Sequence, residues 1–361
     1  MTGISQPRAV SRRTALRAGG AGVAATFGAA PGMPRVMAQE GTTTADAVPD
    51  GLSQEVIEAF KGLPGQKGLK LWAPPDAGRP AWSAEHNPDD RFFIASAFKG
   101  FVLAECLRLE EEALDPLSET PLAAQLAERL AQQLPLDEAV FTLNSPVFNP
   151  PHLTGQVTLR TTLEAMISHS DNTATDMVLR HVGPERVWAF VEEIGLRQSE
   201  IPASTLQFFG YVFGRQDWED TTWADLQSGD PAAIQRPILN DTITMASTPA
   251  DLVAFYSHAL PGEVFQYAET LATFRAILAI GDVIITMPLG VNGFGKGGSI
   301  DFGGSHVLTF AGGLYVPDRW VYFALLLNWT DAEGGFSAEV LGPAIAAART
   351  IFTLIRDRFQ P

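Results

Sequence analysis

Cysteine is almost absent from this sequence. Its 361 residues include one, Cys106, so no disulfide can form within the chain. We interpret Cys106 as a small buried apolar residue rather than as a thiol nucleophile, because free cysteine is among the most buried residue types. The six histidines form neither H-E-x-x-H nor another paired spacing typical of ligands, so no metal site is expected.

Positive charge is also scarce. Lysine and arginine total 25 residues against 41 acidic residues, which gives a formal net charge of −16. Nucleic acids and anionic membrane surfaces bind basic patches, so neither is expected as a partner. The hydrophobic fraction of 46% excludes a wholly disordered chain and indicates a globular protein.

The N-terminus has the features of an export signal. A twin-arginine pattern at residues 11–17 precedes an apolar stretch at 18–30 that is too short for a stable membrane span. Small residues at 36–38 suit a cleavage site. We therefore predict a signal peptide at 1–38, a linker at 39–51, and a mature protein that is periplasmic or secreted. A disordered basic tail is the alternative. No other segment reaches the length of a membrane helix.

Residues 52–361 are predicted to form one α+β domain with two lobes. Strand-like patterns lie near both ends of this region and helical spacing fills its middle. A sheet built from both ends, with a helical lobe inserted, is the simplest arrangement. This gives an α/β lobe at 52–93 and 283–361 and a helical lobe at 94–282. The stretch 196–240, rich in turn-forming residues, is predicted as loop.

Three short motifs suggest a chemistry. The first, Ser96-Ala97-Phe98-Lys99, opens an apolar helix predicted over 95–112. Residues at i and i+3 share a helix face, so the Lys99 amine can approach the Ser96 hydroxyl. Serine is a weak nucleophile that needs a base, and lysine can serve when burial and a second cation lower its pKa. The helix N-terminus at Ser96 would also favour negative charge.

The second motif, Ser170-Asp171-Asn172, lies between two predicted helices. The Ser170 hydroxyl can relay a proton to a leaving group. The Asn172 amide can hold a substrate carbonyl and Lys99 together. We interpret Asp171 as a brace for the loop. Alone, this motif is also a common helix-capping turn.

The third motif, Lys296-Gly297-Gly298-Ser299, lies where the C-terminal sheet begins. A glycine-flanked strand lets its backbone approach a ligand closely. Lys296 would be the second cation, anchoring a substrate carboxylate and lowering the pKa of Lys99. The N–H of Ser299 would join that of Ser96 as an oxyanion hole. The substrate-binding residues predicted on this strand are Gly297, Gly298 and Ser299.

The distribution of lysine supports a role for two of these residues. The chain has five lysines, and two of them occupy motif positions. Arginine could not replace Lys99 as a base, because its guanidinium does not lose its proton in proteins. The five are Lys61, Lys67, Lys70, Lys99 and Lys296.

The order S-x-x-K, S-D-N, K-x-G is the signature of serine β-lactamases and penicillin-binding proteins. The sequence resembles the class A β-lactamase family over roughly residues 52–359. The resemblance implies an α+β fold: a five-stranded antiparallel sheet flanked by helices, an all-helical lobe, and a site between them. It also implies attack by Ser96, with Lys99 as base or proton relay, and no metal or organic cofactor.

The sequence departs from this family at two places. No E-x-x-L-N pattern follows S-D-N, so Glu200 is the better candidate for the deacylation base and Glu219 the weaker; a solvated loop acid is the alternative for both. Gly297 replaces the threonine of K-T-G. His306 lies near where the family often has a carboxylate-binding arginine; a solvent-facing strand histidine is the alternative.

The sequence thus predicts a monomeric serine hydrolase that acts on β-lactams or small esters through an acyl-enzyme on Ser96. The departures weaken the case for efficient penicillin hydrolysis and fit β-lactamase-like esterases. Two alternatives stay open. One is a β-lactam or peptidoglycan-binding protein that acylates without efficient turnover. The other is a D-Ala-D-Ala peptidase.

Overall fold

The computed structural model describes residues 51–76, 79–228, 234–316, 319–336 and 338–359. The predicted signal peptide, and the predicted linker except Gly51, lie outside the described residues. The described strands are β1 Gln66–Ala73, β2 Trp82–His86, β3 Phe92–Phe93, β4 Gln133–Leu136, β5 Gly155–Thr158, β6 Ala246–Ser247, β7 Asn292–Phe302, β8 Ser305–Val316 and β9 Arg319–Thr330.

The described α-helices are α1 Gly51–Lys61, α2 Lys99–Glu111, α3 Leu122–Leu130, α4 Leu159–Ser168, α5 Asn172–Val182, α6 Pro184–Glu193, α7 Thr205–Val212, α8 Trp223–Ser228, α9 Pro249–Ala259, α10 Ala268–Leu278 and α11 Ala338–Arg358. Short 3₁₀ turns lie at Ala95–Phe98, Trp218–Asp220, Asp282–Thr286 and Asp331–Glu333.

Five strands form one antiparallel sheet in the order β2-β1-β9-β8-β7. The strands come from both ends of the domain, and the helices between them form the inserted lobe, as the sequence predicted. Two short strand pairs, β3 with β6 and β4 with β5, lie outside this sheet.

Strand β9 is apolar on both faces because both faces of the sheet are covered. Phe323 and Leu325 pack in a core cluster with residues of α1 and α11. Tyr322, Ala324 and Leu326 pack in a second cluster with the helical lobe. Side chains alternate between the two faces of a strand, so a fully covered central strand is apolar throughout.

Helix α2 runs through the helical lobe, and all its residues from Lys99 to Leu107 are buried. It contacts α4, α5, α6 and α10. An apolar helix surrounded by other helices needs no polar face. This position leaves its first turn, with Lys99, between the helical lobe and β7.

Three predicted elements differ from the structure. The helix predicted from residue 95 begins as a 3₁₀ turn, and its α-helical part starts at Lys99. The helical spacing that runs over residues 173–195 is divided by Gly183, whose φ of 84° ends α5 before Pro184 begins α6. The stretch predicted as loop holds α7 and α8, because Ser204 caps α7 and its apolar residues pack in the core.

Candidate active site

Ser96 lies in the 3₁₀ turn between β3 and α2, at the boundary between the sheet and the helical lobe. The preceding strand is fixed to the sheet by Asn328, which donates to Phe93 O and accepts from Phe93 N, both at 3.0 Å. Ala95 has a φ of 47°, which is rare outside glycine. Ser96 is half-buried, and within the described residues its hydroxyl forms no hydrogen bond. The turn therefore presents a free hydroxyl.

Lys99 is fully buried and joins the first two motifs. Its N–H bonds Ser96 O within the 3₁₀ turn, and its Nζ lies 2.5 Å from Ser170 O, 2.7 Å from Asn172 Oδ1 and 3.3 Å from Ser170 Oγ. A protonated amine has three N–H groups, one for each of these contacts, and it gains a lone pair that can accept a proton only when it loses one of its protons.

The pKa of Lys99 is held well below its ordinary value. Burial is the largest cause, and the positive charge of Lys296 is the second. The carboxylates of Asp171, Asp176 and Asp282 act in the opposite direction but do not outweigh them. Both leading effects disfavour the ammonium form. The arrangement therefore provides a buried amine that loses its proton more readily than an exposed lysine does.

The S-D-N turn is held by the side chain of Asp171. This buried carboxylate accepts from the backbone N–H groups of Val147 and Phe148 at 2.9 and 3.0 Å, and from Ala174 N at 2.8 Å, which caps α5. Asn172 donates to Leu143 O at 2.9 Å, which fixes its amide with Oδ1 toward Lys99. Asp171 thus braces the loop, as interpreted from the sequence.

Strand β7 lies directly beside Ser96, at the edge of the sheet. A Cβ built on Gly298 would lie 2.2 Å from Ile94 O and 2.9 Å from Ser96 N, so only glycine fits this contact. Ser299 follows on the same strand and is exposed. The predicted oxyanion residues therefore lie on two adjoining backbone segments.

Lys296 is fully buried and does not stand free. Its Nζ donates to Asp282 Oδ2 at 2.5 Å and to Gly297 O at 2.8 Å. The other oxygen of Asp282 accepts from Gly297 N at 2.6 Å. Tyr256 Oη accepts from Lys296 N at 3.1 Å. The third motif is thus bonded to an acid that the sequence analysis did not find.

A family comparison agrees with this geometry. Residues 74–276 match the model of the beta-lactamase enzyme family, which is more than half of the 361-residue chain. The chain belongs to the beta-lactamase enzyme family. The resemblance inferred from the three motifs is confirmed. No curated protein matches the chain.

Solved structures that are similar to this chain show its fold. The TLA-3 extended-spectrum beta-lactamase is 15% identical with a TM-score of 0.62, covering 86% of this chain and 98% of that one. A class A beta-lactamase from Bacteroides cellulosilyticus DSM 14838 is 18% identical with a TM-score of 0.61, covering 85% and 97%. A PBP-A mutant in an acyl-enzyme complex with penicillin G is 16% identical with a TM-score of 0.60, covering 85% and 96%. The predicted class A β-lactamase fold is confirmed.

The structure of this beta-lactamase family member does not bring Glu200 to Lys99. Its backbone forms a bridge with Ala246, and its Oε2 lies 2.9 Å from a guanidinium nitrogen of Arg91. Within the described residues, Glu200 forms no hydrogen bond with Ser96, Lys99 or Ser170. Glu219 lies exposed in a 3₁₀ turn. Neither glutamate is held by the groups that surround Lys99.

The structure also separates His306 from Lys296, which corrects both interpretations of this residue. His306 pairs with Asp301, five residues along β7 from Lys296, or about 16 Å. Its ring is 3% exposed and lies with Nε2 2.7 Å from Asp331 Oδ1 and Nδ1 3.1 Å from Asp301 Oδ1. Asp331 is hydrogen-bonded to Nε2 and Asp301 lies beside Nδ1, so His306 is neither solvent-facing nor a neighbour of Lys296. The β7–β8 hairpin is too long for a residue ten positions after Lys296 to lie opposite it.

Two further residues near the site were not found from the sequence. Asp176, one turn after Asn172 on α5, accepts from Thr205 N and Leu206 N at 2.7 and 3.0 Å. Burial raises its pKa to about 7 despite these bonds. It ties the N-terminus of α7 to the S-D-N helix. Burial also raises the pKa of Tyr256. In the sequence, Asp176 and Tyr256 are marked only as polar residues inside an apolar helical pattern.

The described part of the chain offers neither a cluster of metal-ligating side chains nor a helix suited to span a membrane. No group of three or more histidine, cysteine, aspartate or glutamate side chains is placed to hold a metal ion there. None of the helices described above combines the length and apolarity needed to cross a bilayer. Cys106 is a buried free thiol, and burial raises its pKa.

Proposed function

We propose that this protein is a serine acyl hydrolase that acts through an acyl-enzyme on Ser96. The observation that carries the proposal is the buried Lys99 amine. It lies one 3₁₀ turn after Ser96, has a lowered pKa, and is held by Ser170 and Asn172. Within the described residues Lys99 Nζ and the Ser96 hydroxyl are not hydrogen-bonded to each other, but both lie on one turn, and nucleophilic catalysis pairs a serine with a base of this kind.

Each residue has a role in the proposed reaction. Lys99 removes the proton of the Ser96 hydroxyl as its Oγ attacks the substrate carbonyl. The N–H groups of Ser96 and Ser299 stabilise the resulting oxyanion. Ser170, whose Oγ lies 3.3 Å from Lys99 Nζ, passes the proton to the leaving group. Water then cleaves the acyl-enzyme and releases the acid.

The environment of Glu200 favours small esters over β-lactams as substrates that are turned over. Within the described residues, no carboxylate oxygen is hydrogen-bonded to Ser96, Lys99 or Ser170, and Glu200 is paired with Arg91. A penicilloyl-enzyme needs an activated water to be cleaved. We therefore propose β-lactam acylation without efficient turnover as the second candidate function.

The proposed compartment rests on the sequence alone. Export by the twin-arginine route is supported by the pattern at residues 11–17 and the small residues at 36–38. A chain with one cysteine also has no disulfide to form after export. We propose a periplasmic or secreted enzyme.

Time-resolved intact mass spectrometry tests the proposed function. The mature protein is mixed with p-nitrophenyl acetate and, separately, with penicillin G, and Ser96→Ala serves as the control. We expect an acetyl adduct that forms and clears as p-nitrophenol accumulates, and a penicilloyl adduct that forms and persists. The Ser96→Ala protein should show neither adduct. Undiminished hydrolysis by Ser96→Ala would exclude Ser96 as the nucleophile.

The dependence of acylation on pH tests the role of Lys296 in setting the pKa of Lys99. Acylation rises with pH as the Lys99 amine loses its proton. The charge of Lys296 lowers the pKa of Lys99, so Lys296→Met should raise that pKa and move the midpoint of the rate profile to higher pH. The measurement is the pre-steady-state burst with p-nitrophenyl acetate over a series of buffers. Lys70→Met, which removes a lysine paired with Glu85, should leave the midpoint unchanged. An unmoved or lower midpoint in Lys296→Met would contradict this role.

A further inference from the structure

The carboxylate of Asp282 binds two neighbouring hydrogen-bond donors of the third motif. Oδ2 lies 2.5 Å from the ammonium of Lys296, and Oδ1 lies 2.6 Å from the N–H of Gly297. An ammonium and a strand N–H next to each other form a good receptor for one carboxylate. Here a side chain of the protein itself fills that receptor.

The exposed fractions of the Lys296 and Asp282 side chains show which of the two a substrate would meet. The side chain of Lys296 is 0% exposed, while that of Asp282 is 38% exposed. Asp282 is therefore the more exposed partner of this ion pair. A second carboxylate arriving here would meet the negative charge of Asp282 and find Lys296 Nζ and Gly297 N already bonded to it, and like charges that face each other in a binding site are strongly unfavourable.

Gly297 is matched to Asp282. A Cβ built on Gly297 would lie 3.0 Å from Asp282 Oδ1 and 3.0 Å from Thr309 O. Contacts this short require a neighbour to give by a few tenths of an ångström, so a threonine here would crowd the carboxylate of Asp282. The absent threonine and the added acid therefore lie at the same point of the strand.

We propose that Asp282 is a built-in carboxylate that excludes substrates with an anionic group at this position. The enzyme would then select acyl compounds with a neutral or cationic hydrogen-bond donor there, from which the partly exposed carboxylate of Asp282 would accept a hydrogen bond. This inference rests on the proposed function of Ser96, and it names the substrate class of that same site.

A matched pair of substrates tests the proposal: penicillin G, with its free carboxylate, and penicillin G methyl ester, in which it is neutral. The second-order rate of Ser96 acylation is measured for each by intact mass. For the wild-type protein we expect the methyl ester to react about 10–100-fold faster than the free acid. Asp282→Asn should raise the rate with penicillin G by a similar factor and leave the rate with the methyl ester within a few-fold.

Two other variants make the result specific. Asp282→Ala with Gly297→Thr rebuilds a K-T-G motif and should also gain reactivity with the free acid. Glu58→Gln removes one negative charge from an exposed pair on α1 and should leave both rates unchanged. Thermal unfolding of each variant shows whether it is folded. The comparison of penicillin G with its methyl ester on the wild-type protein does not depend on the folding of any variant.

Failure of this inference is distinct from failure of the proposed function. Equal reactivity of wild-type protein with both penicillins, or no gain for penicillin G in Asp282→Asn, would overturn the role of Asp282. In that case Ser96-dependent acetylation by p-nitrophenyl acetate would continue. If neither the penicillins nor p-nitrophenyl acetate modify Ser96, the proposed function itself is wrong and this inference with it.

Discussion

Replacing Lys99 with methionine should slow acylation of Ser96 by about 10²–10⁴-fold, the usual contribution of a general base. Lys99 is fully buried in α2, and methionine matches the volume of its aliphatic part. Packing is therefore retained while the amine is removed. The measurement is the burst rate with p-nitrophenyl acetate, with circular dichroism to show that the helices persist.

Lys99→Arg separates the role of a base from that of a positive charge. Arginine keeps the charge near Ser170 and Asn172 but does not lose its proton. If Lys99 is the base, the arginine variant should be as slow as the methionine variant. If a cation alone were enough, Lys99→Arg would acylate at close to the wild-type rate, and the proposed mechanism would be wrong.

The sequence predicted most of the residues around Lys99 because local rules bring them together. Ser96 and Lys99 are three residues apart, so any helical turn places them on one side. Asp171 and Asn172 begin a helix with an ordinary cap. The meeting of these two motifs is a long-range contact. It was predictable only because the order of the motifs indicated a known family.

The residues that the sequence did not predict depend on distances in space that no spacing encodes. Asp282 belongs to a 3₁₀ turn before β7, and only the packing of that turn against the strand brings it to Lys296. His306 was placed by counting ten residues from Lys296, and the register of the β7–β8 hairpin puts it opposite Asp301 instead. Counting residues along the sequence fails wherever a hairpin differs in length from the corresponding hairpin of the family.

The fold was predictable at the level of layers and less so at the level of helices. Strand β9 is apolar at nearly every position, as a covered central strand should be. Helix α7 lies in the stretch that was predicted as loop because turn-forming residues are frequent in it. Its start is fixed from outside, by the carboxylate of Asp176. Tertiary contacts therefore decided what local pattern could not.

Replacing Asp171 with alanine should destabilise the domain by about 3–9 kcal/mol, because each of three N–H groups left without a partner costs about 1–3 kcal/mol. The carboxylate accepts from three backbone N–H groups, those of Val147, Phe148 and Ala174, and it is itself fully buried. Alanine offers no acceptor, and water has little access to the space. Domains of this kind are stable by only about 5–15 kcal/mol, so a large part of the folded protein's margin depends on this side chain.

Asp115→Ala is the matched control for Asp171→Ala. Its carboxylate also accepts from a backbone N–H, that of Leu117 at 2.8 Å, but the bond is exposed to solvent. Water can replace it, so the loss should stay below about 1 kcal/mol. The measurement is urea unfolding of both variants, followed by acetylation of Ser96 in the folded fraction. Asp171 holds the turn that carries Ser170 and Asn172, so acylation should also slow in Asp171→Ala and not in Asp115→Ala. Equal stability of the two variants would show that the S-D-N turn is held by other contacts and that Asp171 does not brace it.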